Sequence, residues 1–166
     1  MRKGIFLCIL SIVGTGLCFA ADRVTGYWIS VDDKTGRAIA GWELYEVKGE
    51  LRGRILSLAG YPEDIKAVLC KDSYPGFPVA GRVSDMPVVG TPWIYGLKMA
   101  STGKWVGGSI IDPESGNLYK CKVTFHLAGS GKFSADTLEM RGEIGFGIGR
   151  SQFWQKSTYE EANGLR

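Results

Sequence analysis

Trp105-Val106-Gly107-Gly108-Ser109-Ile110-Ile111-Asp112-Pro113-Glu114-Ser115-Gly116-Asn117-Leu118-Tyr119-Lys120-Cys121 reads as strand, tight turn and strand. Pro113 presets φ, and Gly116 is available for φ > 0. Beyond the turn the pattern has period two. Tyr119, Cys121, Val123, Phe125 and Leu127 share one face, and Lys120, Lys122, Thr124 and His126 share the other. A second run alternates Leu138, Met140, Gly142, Ile144 and Phe146 against Glu139, Arg141 and Glu143. One dry face and one wet face per strand is the signature of an antiparallel sheet around a core.

The same idiom occurs near the start, where Gly26-Tyr27-Trp28 leads into Asp32-Asp33-Lys34-Thr35-Gly36. Further strands are expected near 24–31, 37–47, 51–58, 87–98, 104–111 and 150–156. Lys48-Gly49 is a hairpin signal, and Gly129-Ser130-Gly131 is another turn. About eight short strands at this spacing predict a small antiparallel β-barrel or sandwich. Residues 59–81 interrupt the pattern with Pro62, Pro75 and Pro78. Within them, Pro62-Glu63-Asp64 resembles a helix first turn, and Ile65, Val68 and Leu69 would share a face. One short helix in a long loop is expected.

The N-terminus carries Arg2 and Lys3, an apolar stretch from Ile5 to Val13, and Cys18-Phe19-Ala20. These are the parts of a secretory signal peptide, residues 1–20, cleaved near Ala20. The stretch is short and broken by Gly14 and Gly16, unlike a membrane span. A lipoprotein signal needs a small residue before its cysteine, whereas Leu7 and Leu17 precede Cys8 and Cys18. The expected mature protein, 21–166, is one domain with a core over 24–156 and a C-terminal tail over 157–166, periplasmic or secreted. Its formal charge falls from +3 to +1 as Arg2 and Lys3 leave. Near-neutrality without a basic run argues against nucleic acid and against an electrostatic membrane patch. The charged face of Glu139, Arg141 and Glu143 argues against an outer-membrane barrel.

No catalytic, metal or cofactor constellation stands out. His126, the single histidine, alternates onto a polar face, and no G-x-S-x-G elbow accompanies it. Gly145-x-Gly147-x-Gly149 lacks the context of a phosphate loop and suits strand bends. Asp32, Asp33 and Asp112 precede glycines and cap turns. Cys70 and Cys121 remain in the mature chain, without the C-x-x-C of a reactive thiol pair and short of a zinc ligand set. Five tryptophans, Trp28, Trp42, Trp93, Trp105 and Trp154, suit either core packing or an aromatic-lined pocket.

Seven ordered pieces span residues 24–156: Gly26-x-Trp28, Asp32-Asp33-x-Thr35-Gly36, Leu51-x-Gly53-x-Ile55, Gly108-x-Ile110-x-Asp112-Pro113-x-x-Gly116, Tyr119-x-Cys121, Leu138-x-Met140-Arg141-Gly142 and Gly149-Arg150-Ser151-Gln152-x-Trp154. Together they resemble an exported bacterial family known as domain of unknown function 2147. The resemblance implies a lipocalin-like barrel and no established activity. It implies structural roles for Trp28, Asp112, Gly116, Arg141, Arg150 and Gln152. In such barrels the first-strand tryptophan plugs one end beneath a late basic residue, here Arg150, with Arg141 as competitor. Many members carry C-x-x-C before the proline-rich loop, but Ala67 stands at its first position here. Cys70 then either pairs with Cys121 or stays free. The stretch 84–98 departs from the family pattern.

The function expected is binding of a small apolar ligand or lipid inside the barrel, with Tyr119, Phe125, Met140, Trp42 and Trp105 as lining residues. The alternative is an envelope interaction protein with a filled core, without ligand or catalysis. An open cavity beyond about 300 Å³ favours the first.

Overall fold

The computed structural model describes residues 22–165, so the expected signal segment lies outside the described residues. Eight strands follow one another: β1 (Gly26–Val31), β2 (Ala38–Val47), β3 (Glu50–Leu58), β4 (Pro92–Ser101), β5 (Lys104–Asp112), β6 (Asn117–His126), β7 (Thr137–Gly145) and β8 (Ile148–Ser157). Each pairs antiparallel with the next, and β8 pairs with β1, closing an eight-stranded barrel. Closure removes both sheet edges. The expected lipocalin-like antiparallel barrel is therefore the fold.

Alternation sets what lies inside. The β6–β7 register puts Val123 opposite Met140 and Phe125 opposite Leu138. Val123, Leu138 and Met140 are buried, whereas Lys120 and Lys122 are exposed. Leu127 and Ile144 were expected inside, but both are exposed, because each lies where its alternating run leaves the barrel wall.

The turns at one end explain the repeated aspartate–glycine idiom. Asp32 Oδ1 accepts hydrogen bonds from the Thr35 amide (2.7 Å) and hydroxyl (2.8 Å). Asp112 Oδ1 accepts from the Glu114 amide (3.0 Å), and its Oδ2 from the Ser115 hydroxyl (2.6 Å). Gly116 has φ 68°, and a Cβ there would stand 2.2 Å from the Leu69 carbonyl oxygen, so only glycine fits.

The segment between β3 and β4 wraps the outside of the barrel, with a 3₁₀ turn at Val83–Asp85. Trp93 and Tyr95 of β4 lie beneath it: the Trp93 indole donates to the Val88 carbonyl (2.7 Å), and Phe77 packs edge-on against Tyr95. Ile94 and Leu97 are also buried, so the first half of β4 is dry on both faces. The helix expected near 62–69 is absent. The Ala67 amide donates instead to Met86 O (3.0 Å) and the Val88 amide to Ile65 O (2.8 Å), pairing two extended pieces. Val68 and Leu69, its supposed buried face, are 71% and 65% exposed.

The short helix lies in the tail, α1 (Tyr159–Asn163), started by Thr158 and Glu161 in a reciprocal capping box. It packs on the outside of β2 and β3, where the Ser57 hydroxyl donates to Ala162 O (2.7 Å). Gly41 permits this approach, since a Cβ there would stand 1.6 Å from that same oxygen.

The end opposite the aspartate turns is plugged. Trp28 is fully buried, and its indole donates to Val24 O (2.9 Å). Phe125 meets its ring edge-on at 6.3 Å. The basic group over the ring is Lys156, with Nζ 4.4 Å from the centroid, and not Arg150 or Arg141. The register explains the difference. Trp28 faces Lys156 across β1–β8, and Arg150 lies six residues further along β8, about 20 Å away. Gly26, at φ 118°, leaves room for the ammonium, since a Cβ there would stand 2.8 Å from Nζ.

Candidate functional site: a cavity open at the aspartate-turn end

The barrel is filled only at its plugged end. Towards the other end it encloses a cavity of about 560 Å³ that opens between the β1–β2, β5–β6 and β7–β8 turns. Ala40 and Trp42 of β2, Ile55 of β3, Ile110 of β5, Tyr119 of β6 and Met140 of β7 line its wall. Every one sits on the inward rank of its strand; alternation in the sequence places all but Ile110, which a bulge between Trp105 and Gly108 turns inward. Trp42 stacks on Trp154 at 4.8 Å, forming an aromatic floor. Gly142 opens the wall. It faces the Tyr119 and Ile110 side chains, and its Cβ would meet both at ordinary contact distances of 3.5 Å or more.

Three polar groups interrupt the apolar wall: Ser30, Gln152 and Tyr119. The Ser30 hydroxyl donates to Ala40 O and accepts from the Trp42 indole, both at 3.2 Å, which fixes the floor. Gln152 Oε1 accepts from the Trp154 indole (3.4 Å). The rim is charged. Arg150, on the inward rank opposite Gly142, pairs with Asp33 of the β1–β2 turn, and Asp112 and Glu114 line the neighbouring turn.

The expected lining residues therefore divide. Tyr119, Met140 and Trp42 line the cavity, while Phe125 and Trp105 belong to the plugged half and do not. Trp105 faces Val123 and is buried, with an indole N–H that lacks a protein partner. Asp112 and Gly116 keep their turn roles. Arg141 points outward to Glu143 (2.8 Å). The sequence reading misses Ala40 and Gly142, although alternation marks both as inward, and Ile110, which only the bulge between Trp105 and Gly108 turns inward; it misses Lys156 and Asp33 because no local pattern reveals a cross-barrel partner.

The cysteines are free thiols, and the Cys70–Cys121 bridge does not form. Cys70 lies against Gly116 at the open end, whereas Cys121 is five residues further along β6, about 16 Å away. A bridge requires Cα atoms within about 7 Å. Cys121 Sγ instead lies 3.2 Å from Met140 Sδ inside the barrel, where burial pushes its thiol pKa up. Burial also raises Cys70, against the lowering effect of its hydrogen bond with Tyr74.

One titratable cluster lies on the barrel's outer face. His126 Nε2 is 3.0 Å from Glu139 Oε2, Phe133 stacks on the imidazole at 4.2 Å, and the Ser151 hydroxyl donates to Glu139 Oε1 (2.6 Å). The carboxylate stands between histidine and serine, so the imidazole has no path to activate the hydroxyl as a nucleophile. Among the described residues no group of three His, Cys, Asp or Glu side chains could hold a metal ion, and no helix is long and apolar enough to cross a membrane.

The fold has a solved counterpart. The structure of protein HP1028 from Helicobacter pylori, described as belonging to the lipocalin family, superposes with a TM-score of 0.66 at 16% identity. The match covers 87% of this chain and 89% of that one. At that identity it speaks to the fold alone. No curated protein sequence matches significantly. The family model described as "Uncharacterized protein conserved in bacteria (DUF2147)" matches residues 26–156, the whole barrel from β1 almost to the end of β8, and the chain belongs to that family.

Proposed function

We propose that this protein is an exported binding protein that holds one small, largely apolar ligand or lipid in the open half of its barrel. The observation that carries this reading is the cavity of about 560 Å³ with a mouth, inside the usual range of about 300–1,000 Å³ for ligand sites. An apolar wall with few polar groups suits a ligand whose body is hydrophobic and whose polar atoms meet Tyr119 and Gln152. Export rests on the N-terminal signal pattern of residues 1–20.

Gly142→Leu tests the cavity. Its backbone is not left-handed, and the new side chain would enter open space beside Tyr119 and Ile110. The expected result is loss of binding of an apolar fluorescent probe by at least tenfold, with unchanged far-UV circular dichroism. Unaltered probe affinity in a folded variant overturns the assignment. Native mass spectrometry of protein from its own cell envelope reads ligand and processing together. A chain beginning at Ala21 or Asp22 with added ligand mass is expected; a chain beginning at Met1 ends the export reading.

A further inference from the structure

The β7–β8 hairpin breaks two rules at once. Its two central residues, Phe146 and Gly147, have φ of 48° and 76°. This is the two-residue turn with both positions left-handed, which favours Asn, Asp or Gly at the first position. The β2–β3 hairpin uses the same geometry with Lys48 and Gly49, at φ 53° and 75°, so the turn itself has no need of an aromatic residue. Phe146 is nonetheless there, fully exposed, between Ile144 (71% exposed) and Ile148 (64% exposed). Three large apolar side chains in five residues therefore project beside the cavity mouth, which Ile144 and Ile148 help line. An outlier with an exposed hydrophobic cost points to a function outside the folded chain.

The stem beneath the tip says what covers it. Arg141 donates to the Gly147 carbonyl (3.0 Å), bracing the turn, and it shares the Glu143 carboxylate with Lys122, at 2.8 and 2.9 Å. Lys120 faces Glu143 across β6–β7, and Arg150 pairs with Asp33. Asp32 also lies close enough to Arg150 to act on its charge, so four cations on the stem meet three carboxylates, Glu143, Asp33 and Asp32. No basic run marks this in the sequence, because the cations come from three strands. The acidic Asp112 and Glu114 lie on the neighbouring turn, so the excess of positive charge belongs to the hairpin side of the mouth.

We infer that Ile144, Phe146 and Ile148 form a finger that docks the barrel, mouth first, on an anionic lipid bilayer. Apolar side chains at the tip would enter the headgroup–acyl boundary while the stem cations stay at the level of the phosphates. The long Lys and Arg stems allow that placement. Docking does not require an occupied cavity, and it would put the mouth where an apolar cargo could pass without crossing water.

The test uses full-length mature protein and vesicles of equimolar phosphatidylglycerol and phosphatidylcholine. Phe146→Asn is the informative variant, since asparagine suits the left-handed position and the fold should be kept or strengthened. Wild type should co-sediment with the anionic vesicles and bind pure phosphatidylcholine several-fold more weakly. Phe146→Asn should bind at least ~10-fold more weakly, the effect of withdrawing one buried phenylalanine. Its melting temperature and its probe affinity in the cavity should not fall. Gly142→Leu should dock like wild type, which separates failure of the cavity assignment from failure of this one. Wild type that ignores anionic vesicles, or Phe146→Asn that binds them equally, overturns the inference. So does a vesicle-free dimer that Phe146→Asn abolishes, since a second copy would then be what covers the tip.

Discussion

Replacing Trp28 by alanine tests the plugged end most directly. A tryptophan side chain buries up to about 250 Å², which at ~25 cal/mol per Å² is an upper bound of about 6 kcal/mol. A compact denatured state removes roughly 10–40% of that, and partial collapse of the hole brings the expected loss to about 3–5 kcal/mol. The indole hydrogen bond to Val24 O lies inside this figure, because truncation strands a buried carbonyl. The Lys156 contact adds about 0.5–2 kcal/mol for a partly buried ammonium. Burial lowers the Lys156 pKa, so its charge there is held at some cost. Urea unfolding followed by far-UV circular dichroism should show the midpoint falling with little change in slope. In a chain of this size the melting temperature should drop by on the order of 10–20 °C. Because Trp28 lies at the end opposite the mouth, affinity for an apolar probe should stay within about threefold among molecules that remain folded. A loss below about 1 kcal/mol would refute the plug. A stability loss that carried an equal loss of probe affinity would refute the division of the barrel into a solid half and an open half.

Two further outcomes follow from the charges and thiols. Hydrogen bonds to Lys98 (Glu50), Ser84 (Asp72) and Thr35 (Asp32) hold those carboxyls below their ordinary values; for Glu139, burial pushes upward but the Ser151 and His126 hydrogen bonds outweigh it. A depressed folded-state pKa means the unfolded chain takes up protons first, so stability should be flat above the ordinary values of 4.5 for Glu and 3.8 for Asp and fall as pH drops through them. Urea midpoints between pH 7 and 3 check this, and a midpoint that rises on acidification contradicts it. Mature protein denatured without reductant should titrate two thiols per chain, while the folded protein should react slowly because both thiols are buried and Cys121 is strongly shifted towards its neutral form. A blocked pair in the denatured chain would restore the bridge.

Legibility in the sequence followed the range of the interactions. The strands around Tyr119–Phe125 and Leu138–Met140 have one wet face, so period two exposed them, and Asp112–Gly116 announced its turn because the capping is local. The sequence pattern places this strand too early, at 87–98 instead of 92–101, because Trp93 and Tyr95 are dried by an overlying loop. A strand buried on both faces loses its alternation. The helix expected at Pro62–Leu69 had the right residues for a first turn, but its backbone found partners some twenty residues away, the Ala67 amide donating to Met86 O and the Ile65 carbonyl accepting from the Val88 amide. The true helix carried a readable sign in Thr158-x-x-Glu161, hidden only because ten residues beyond the last strand read as tail.

The cavity shows the same limit in a sharper form. The inward residues at 40, 42, 119, 140 and 142 could be assigned to the dry side from alternation alone; Ile110 could not, because a bulge between Trp105 and Gly108 reverses the parity of β5. Alternation does not say whether the dry side is solid. That depends on size summed across the barrel at each level. Trp28, Trp105, Val123, Leu138 and Phe125 crowd one level, while Ala40, Ile110 and Gly142 leave the next one open. The register that brings a small residue on β2 to the same height as a glycine on β7 is set by the closure of β8 onto β1, the longest-range pairing in the chain. The same closure decides that Lys156 rather than Arg150 covers Trp28. It also leaves Arg150 free to hold Asp33 at the rim. Placing a cation beside the mouth and choosing the cation over the plug are thus one consequence of one register. A shift of two residues in β8 would keep every side chain on its face and undo both.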